Sequence, residues 1–397
     1  MTYSLGKTLL QGWLLLCFLS PAAYAQHKVK IEITQAPDKH TEEPVFITGS
    51  FNGWIPAQAE RQMQKNDGGN YIITLQNIRN GLLEFKFNRG DWQKLECTPE
   101  GRLANPRQVM IKSDTIIRAV VQGWRDDYPA STASSRVHLL DSAFLMPQLN
   151  DRRSISIYLP ANYQQSKKRY PVLYMHDGQD LFDEATSRGR TGPVEWGVDE
   201  TIDRSEKECI VVAVNHHTDK NKRIQEYFVY PNQQYDTVYG KEYLRFIAET
   251  LKPYIDAHYR TLPGKTSTFM AGSSMGGLLT LYAGLLYPDV FGALGVLSPS
   301  IWLDEGNIYK TIAATKPRKA YATQRYYFYG GGNENRMKPD SSFVEMSTDV
   351  NLAIAALQKK IQPEIKSAVN PEGRHGQWYW GLTFPDFYQW LMQRHKQ

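Results

Sequence analysis

Ser274, Glu334 and His375 follow one another along the chain in the order nucleophile, acid, base. Ser274 is the centre of Gly272-Ser273-Ser274-Met275-Gly276, a G-x-S-x-G pattern with an apolar run on each side. A serine hydroxyl is a weak nucleophile until a base takes its proton, and a histidine base needs a carboxylate to orient it. Only His375 and His395 lie downstream of Ser274. His395 falls in the terminal "LMQRHKQ", whereas His375 sits in the Gly-flanked "NPEGRHGQWYW", between a strand-like run and the last helical stretch. That setting makes His375 the base. Glu334, in "GGGNENR" after the strand-like "YYFYGGG", is the candidate acid, with Asp340 as its substitute. Together these groups would perform acyl transfer through a serine ester.

Such a triad needs a scaffold that presents the hydroxyl. "TSTFMA" predicts a strand and "MGGLLTLYAGLLYP" a helix stopped by Pro288, so Ser274 occupies a sharp strand-to-helix turn. Glycines two residues either side let strand and helix approach, and the turn places the Met275 N–H at a helix N-terminus, where it can stabilise an oxyanion. From about residue 137 onward, strand-like runs ("SISIYLP", "YPVLYMHD", "CIVVAVNH", "ALGVLSP", "RYYFYGG") alternate with helical stretches such as "YLRFIAETLKPYIDAHY". Strand then helix, repeated, predicts a parallel sheet covered on both faces.

The pattern before that point is different. Between about 28 and 122, short alternating runs ("VKIEITQ", "PVFITGSF", "NYIITLQN", "LLEFKFNRG", "RQVMIKS", "TIIRAVVQGW") are separated by turns, which predicts an all-β sandwich of immunoglobulin size. The polar "RDDYPASTASSR" reads as a linker. The expected organisation is a signal peptide over 1–25, a sandwich over 26–124, a linker over 125–136 and a hydrolase domain over 137–397.

The quoted motifs carry two resemblances. Residues 137–397 resemble the esterase family that holds esterase D, feruloyl esterases, enterochelin esterases and the mycolyltransferases. The matching pieces are "YPVLYMHDGQDLFD", "GSSMGG" with "LYAGLLYPDVFGALGVLSPSIW", "GGGNE" and "GRHGQWYW". The resemblance implies an α/β-hydrolase fold, with Ser274 as nucleophile, Glu334 as acid and His375 as base. It also implies a second oxyanion N–H from the "HDGQ" loop, around Gly178 or Gln179, with His176 shaping that loop. Residues 28–122 resemble the starch- and glycogen-binding type of carbohydrate module, through "VFITGSFNGW" and "NYIITLQNIRNGLLEFKFNRGDW". In that family two tryptophans stack on sugar rings; the matching positions here are Trp54 and Trp92.

Composition narrows the partners. A formal charge of +5 over 397 residues, with no basic block, argues against nucleic acid. The first 25 residues carry Lys7, an apolar stretch and Ala23-Tyr24-Ala25, the pattern of a cleaved export signal; a single-pass membrane anchor is the rival, though the stretch is short for spanning and ends in Pro21, and lipid attachment at Cys17 is a lesser alternative. Export would leave a periplasmic or extracellular protein with no membrane segment. Cys97 and Cys209 are expected to stay unpaired, His216-His217 to be a surface loop, and no metal or cofactor is expected. Trp196, Trp302, Trp378 and Trp380 flank the site and could line a substrate pocket; Arg188, Arg190, Arg223 and Arg336 could meet an anionic substrate. Three functions compete: a secreted serine esterase deacylating carbohydrate (acetyl or feruloyl esters), a siderophore esterase of the enterochelin type, and a glycan-binding protein with an inactive hydrolase domain.

Overall fold

The computed structural model describes residues 26–189, 192–337 and 343–393. The readings placed on 1–25, Arg190, Asp340 and His395 lie outside these residues.

The N-terminal strands alternate inward and outward, and that alternation builds the sandwich. In Gln26–Gln35, Val29, Ile31 and Ile33 are fully buried while their neighbours face outward. This strand joins Gln64–Lys65, Tyr71–Arg79 and Thr115–Val120 in a four-stranded sheet. Opposite it lies a three-stranded sheet of Phe46–Gly49, Gly81–Asn88 and Arg107–Ile111. Val29, Ile31, Leu75, Phe85, Phe87 and Trp124 fill the space between.

An eight-stranded sheet organises the rest of the chain. Its strands are β1 (Val137–Met146), β2 (Asp151–Tyr158), β3 (Val172–His176), β4 (Ile210–Val214), β5 (Thr268–Ser273), β6 (Ala293–Leu297), β7 (Arg325–Gly331) and β8 (Glu364–Asn370). They lie in the order 1-2-4-3-5-6-7-8. β2 runs antiparallel to β1 and β4, and every later pairing is parallel. Central strands bury both faces, so they read as continuous apolar runs. Tyr174, Val212 and Met270 point into one core, with the helices Gly240–Phe246, Met275–Leu286 and Met346–Lys360. Leu173, Val211 and Phe269 point into the other, with Val198–Asp203 and Gln377–Met392. Among the described residues no helix is long and apolar enough to cross a membrane.

The stretch 125–136 is tied down. Arg125 is buried and its Nε donates to Glu184 Oε2 at 2.9 Å. Ser131 Oγ donates to Asp183 Oδ2, and the Ser134 N–H to Asp199 Oδ2. Polar composition predicts a linker; here Asp126 and Asp127 pair with Arg89 and His40 of the sandwich, while Arg125, Ser131 and Ser134 reach the hydrolase. Cys97 and Cys209 are free and buried, as expected, one in each region.

Candidate active site

β5 ends at Ser273 and a helix begins at Met275, which leaves Ser274 alone to turn the chain. Its φ of 57° and ψ of −123° are strained for a residue with a side chain. The turn is pinned from β6, since the Ser274 N–H donates to Leu297 O at 2.9 Å and the Ser300 N–H to Ser274 O at 3.0 Å. Crowding explains the glycines. A Cβ on Gly272 would stand 2.7 Å from His176 Cδ2 and 2.8 Å from the Gly276 carbonyl carbon, and one on Gly277 would stand 2.6 Å from Leu297 O.

Ser274 Oγ lies 2.9 Å from His375 Nε2, and His375 Nδ1 lies 3.3 Å from Glu334 Oε2. Three residues spread over a hundred positions thus form one hydrogen-bonded relay. Glu334, in the loop after β7, is buried, and its other oxygen accepts from Ser298 Oγ at 2.6 Å and from the Gly331 N–H at 3.1 Å. Those donors fix the carboxylate's orientation. Ser298 Oγ in turn accepts from Trp380 Nε1 at 2.9 Å, and the Trp380 ring meets His375 edge-on at 5.0 Å. Ser300 Oγ stands 3.1 Å from Ser274 Oγ. Sequence reasoning missed Ser298 and Ser300, because "LSPS" carries no spacing signal.

The Met275, Gly178 and Gln179 N–H groups have no hydrogen-bond partner among the described residues. The loop after β3 lies against the start of the Ser274 helix, since a Cβ on Gly276 would meet His176 Cβ at 3.3 Å and Asp177 Oδ2 at 3.5 Å. Gly178 is pressed against Ala213 and Asn215 at the end of β4. Gln179 is held by its Oε1, which accepts from the His216 N–H. His176 is buried, and desolvation pulls its imidazole down to about 4, which leaves it neutral near pH ~7. Burial works against the Asp177 carboxylate, yet Arg223, donating to both its oxygens at 2.8 and 2.9 Å, holds it below its usual value. Arg223 is therefore engaged with Asp177 and is not a free cation for substrate. Arg188 is exposed and away from the relay, lining a separate cavity with Trp92; for Arg336 no side-chain contact is described.

A cavity of about 330 Å³ opens onto His375. Trp378 lines it from the hydrolase, while Trp54, Glu84 and Gln108 line it from the sandwich. Trp54 is almost wholly buried there, at 8% exposure. Trp92 packs on the backbone of Gly192, where a Cβ would stand 2.7 Å from its ring, and lines a second interface cavity of about 720 Å³. Both expected sugar platforms thus face the hydrolase. Trp196 is buried against Trp380 and Phe384, a core position; Trp302 is half-buried two residues after Ser300, outside the His375 cavity. His216 and His217 bond to neighbouring loop groups. Among the described residues, one carboxylate group has metal-like spacing: Glu195, Asp199 and Glu200. Arg102 of the sandwich reaches into it, pairing with Glu195 and, at 2.7 Å, with Glu200.

Comparison with known proteins agrees with this architecture. An uncharacterised protein, YbbA, of Bacillus subtilis (strain 168) is 26% identical over 192 residues, 47% of this chain and 70% of that one. An endo-1,4-beta-xylanase/feruloyl esterase of Xylanibacter ruminicola is 25% identical over 205 residues, 49% of this chain but only 24% of that protein. The enterobactin esterase of Shigella flexneri superposes with a TM-score of 0.52 at 18% identity, over 92% of this chain and 93% of that one, a likeness of fold. The family model described as a putative esterase matches residues 147–391, from the turn before β2 to the last helix. With that match spanning most of the chain, the protein belongs to the putative esterase family, whose α/β-hydrolase fold is that of carboxylic-ester hydrolases.

Proposed function

We propose that this protein is an exported serine esterase that deacylates carbohydrate. The relay from Ser274 through His375 to Glu334 carries the reading. His375 takes the Ser274 proton as Oγ attacks the ester carbonyl, Glu334 holds the imidazolium, and the Met275 N–H, with Gly178 or Gln179, receives the oxyanion. His375 then protonates the departing alcohol, and water releases the acid from the acyl-enzyme by the same route. The proposed division is a sandwich over 26–124, a connecting segment over 125–136 and a hydrolase over 137–397, after an export signal over 1–25.

The chemistry of the His375 cavity supports a sugar ester. Trp54 and Trp378 offer apolar faces, and Asn333, Gln108 and Gln377 offer hydrogen bonds. Arg374 on its wall is neutralised by Glu84, and Arg223 by Asp177, which weakens the case for an anionic catecholate. The feruloyl esterase named among the relatives fits the same reading. A siderophore lactone is the second reading, favoured by the full-length likeness of fold to the enterobactin esterase.

A fluorophosphonate should label Ser274 rapidly, and Ser274→Ala should lower kcat by roughly 10⁴–10⁶-fold with the fold intact. Near-wild-type turnover by that variant would remove the assignment. Acetylated sugars, feruloylated sugars and a catecholate trilactone, assayed side by side, then separate the substrates. Absent labelling would leave the glycan-binding reading.

A further inference from the structure

His375 sits in a short segment that both the hydrolase and the sandwich hold. Its N-terminal half is anchored by the Gly373 N–H donating to Asn370 O and the Asn333 N–H donating to Gly373 O, both at 2.9 Å. Gly373 is also packed tightly, since a Cβ there would stand 2.6 Å from Tyr329 Oη. Past Gly373 the hydrolase holds the segment again at Gly376, whose carbonyl accepts from the Tyr379 and Trp380 N–H groups, and at Gln377, whose Nε2 donates to Asp180 Oδ2. Between these points Arg374 makes no main-chain hydrogen bond among the described residues.

The sandwich holds the side chain of Arg374. Arg374 Nη1 donates to Glu84 Oε2 at 2.8 Å. Glu84 Oε1 accepts from Gln108 Nε2 at 2.8 Å, and the same amide donates to Tyr379 Oη at 2.7 Å. Glu84 and Gln108 are cross-strand partners in register, so one rigid strand pair holds the residue before His375 and the helical turn after it. Both contacts span the boundary between sandwich and hydrolase.

We propose that Glu84 is a positioning residue for proton transfer at His375, acting from the other domain through Arg374 and Gln108. This rests on reading Ser274, His375 and Glu334 as the catalytic triad. Glu84 touches neither the reacting serine nor the imidazole; it fixes the segment that sets the 2.9 Å approach of Nε2 to Oγ. Displacing a catalytic group by about 1 Å can cost roughly a hundredfold in rate.

The test is a set of variants in the full chain, assayed on a small chromogenic ester. Glu84→Gln should lower kcat roughly ten- to hundredfold while KM for this small ester moves by less than about twofold, because the variant keeps the size and polarity of the cavity wall that Glu84 lines. Fluorophosphonate labelling of Ser274 should slow in parallel, since it also needs the base. Arg374→Gln should act alike, and the double variant should be no worse than the poorer single one, because both break one interaction. Reversing the pair, Glu84→Arg with Arg374→Glu, should restore much of the loss. If Glu84→Gln lowers the melting temperature but leaves kcat alone, the residue is only structural and the proposal falls. A raised KM with kcat intact would make Glu84 a substrate contact of the cavity it lines rather than a positioning residue, and would overturn the proposal equally. Should Glu84→Gln fail to fold, Arg374→Gln, on a half-exposed side chain, decides by the same readouts. Ser274→Ala separates the two levels: turnover there would sink the triad reading itself, while a dead Ser274→Ala beside a fully active Glu84→Gln sinks positioning alone.

Discussion

The side chain of Ser298 joins two residues near the site, donating from Oγ to Glu334 at 2.6 Å and accepting from the Trp380 indole at 2.9 Å. Replacing it with alanine would leave a buried carboxylate with one fewer donor and a buried indole N–H with no acceptor. Ser298→Ala should therefore cost about 1–3 kcal/mol of stability, the usual cost of such orphaned groups. It should also lower kcat, because Glu334 would keep only the Gly331 N–H, besides His375 itself, to orient it. A thermal melt and a kcat measurement on the same sample check both. That Ser274, Glu334 and His375 should meet was legible in the sequence, because their order and their places after strand-like runs are constrained by the fold. Ser298 was not, since a serine after a strand has too many ordinary reasons to be there. Arg223 shows the opposite case: its charge suggested a substrate contact, but only coordinates reveal that Asp177 holds it.

The strand-to-helix turn is tuned by clearance. A methyl group on Gly272 would collide with backbone and with a buried imidazole, whereas one on Gly276 would meet His176 Cβ at 3.3 Å, a contact that needs only a slight shift. Alanine also favours the helix at Gly276 by about 1 kcal/mol. Gly272→Ala should thus lose both melting temperature and activity, while Gly276→Ala should stay close to wild type in stability. Equal losses in the two would mean that the turn is limited by something other than Cβ clearance. Most elements were legible because their periodicity follows burial: "CIVVAVNH" and "RYYFYGG" became central strands β4 and β7. β1 was not named, because it is an edge strand with an irregular register against β2 and several exposed apolar residues. The helical run around "YLRFIAETLKPYIDAHY" carries a π-turn at Ile247–Leu251, just before Pro253, a residue with no N–H for the α-helical ladder.

Across the whole molecule, the sandwich and hydrolase meet over buried carboxylates, and this is what the linker-like composition of 125–136 concealed. Burial pushes Glu195 up to about 8, helped by Glu200 and opposed by Arg102; burial and then Glu200 push Asp199 up as well. A carboxyl whose folded value is raised binds more protons in the native state, so its stabilising share is complete below the ordinary range near ~4 and is lost as pH rises through the folded value. Asp199→Asn keeps an oxygen for the Ser134 N–H, removes a charge beside Glu200, and should raise the melting temperature more at pH ~8 than at pH ~5. Removing the sandwich asks the same question more severely. A chain beginning at Val137 would retain Glu184, Glu195, Asp199 and Glu200 but lose Arg102 and Arg125, the cations that pair with them. A mere linker over 125–136 would let such a fragment keep near-full activity on small esters. The interface argues otherwise, because Trp54, Glu84 and Gln108 would leave the His375 cavity and the carboxylates would face each other unpaired. The fragment should melt below the full chain and should turn over a small ester more slowly. Melts and kcat for the two chains give the answer. A fragment as stable as the full chain would show that the Arg102 and Arg125 pairs contribute nothing, and an unchanged kcat would return the hydrolase to the self-sufficient unit that its sequence suggested.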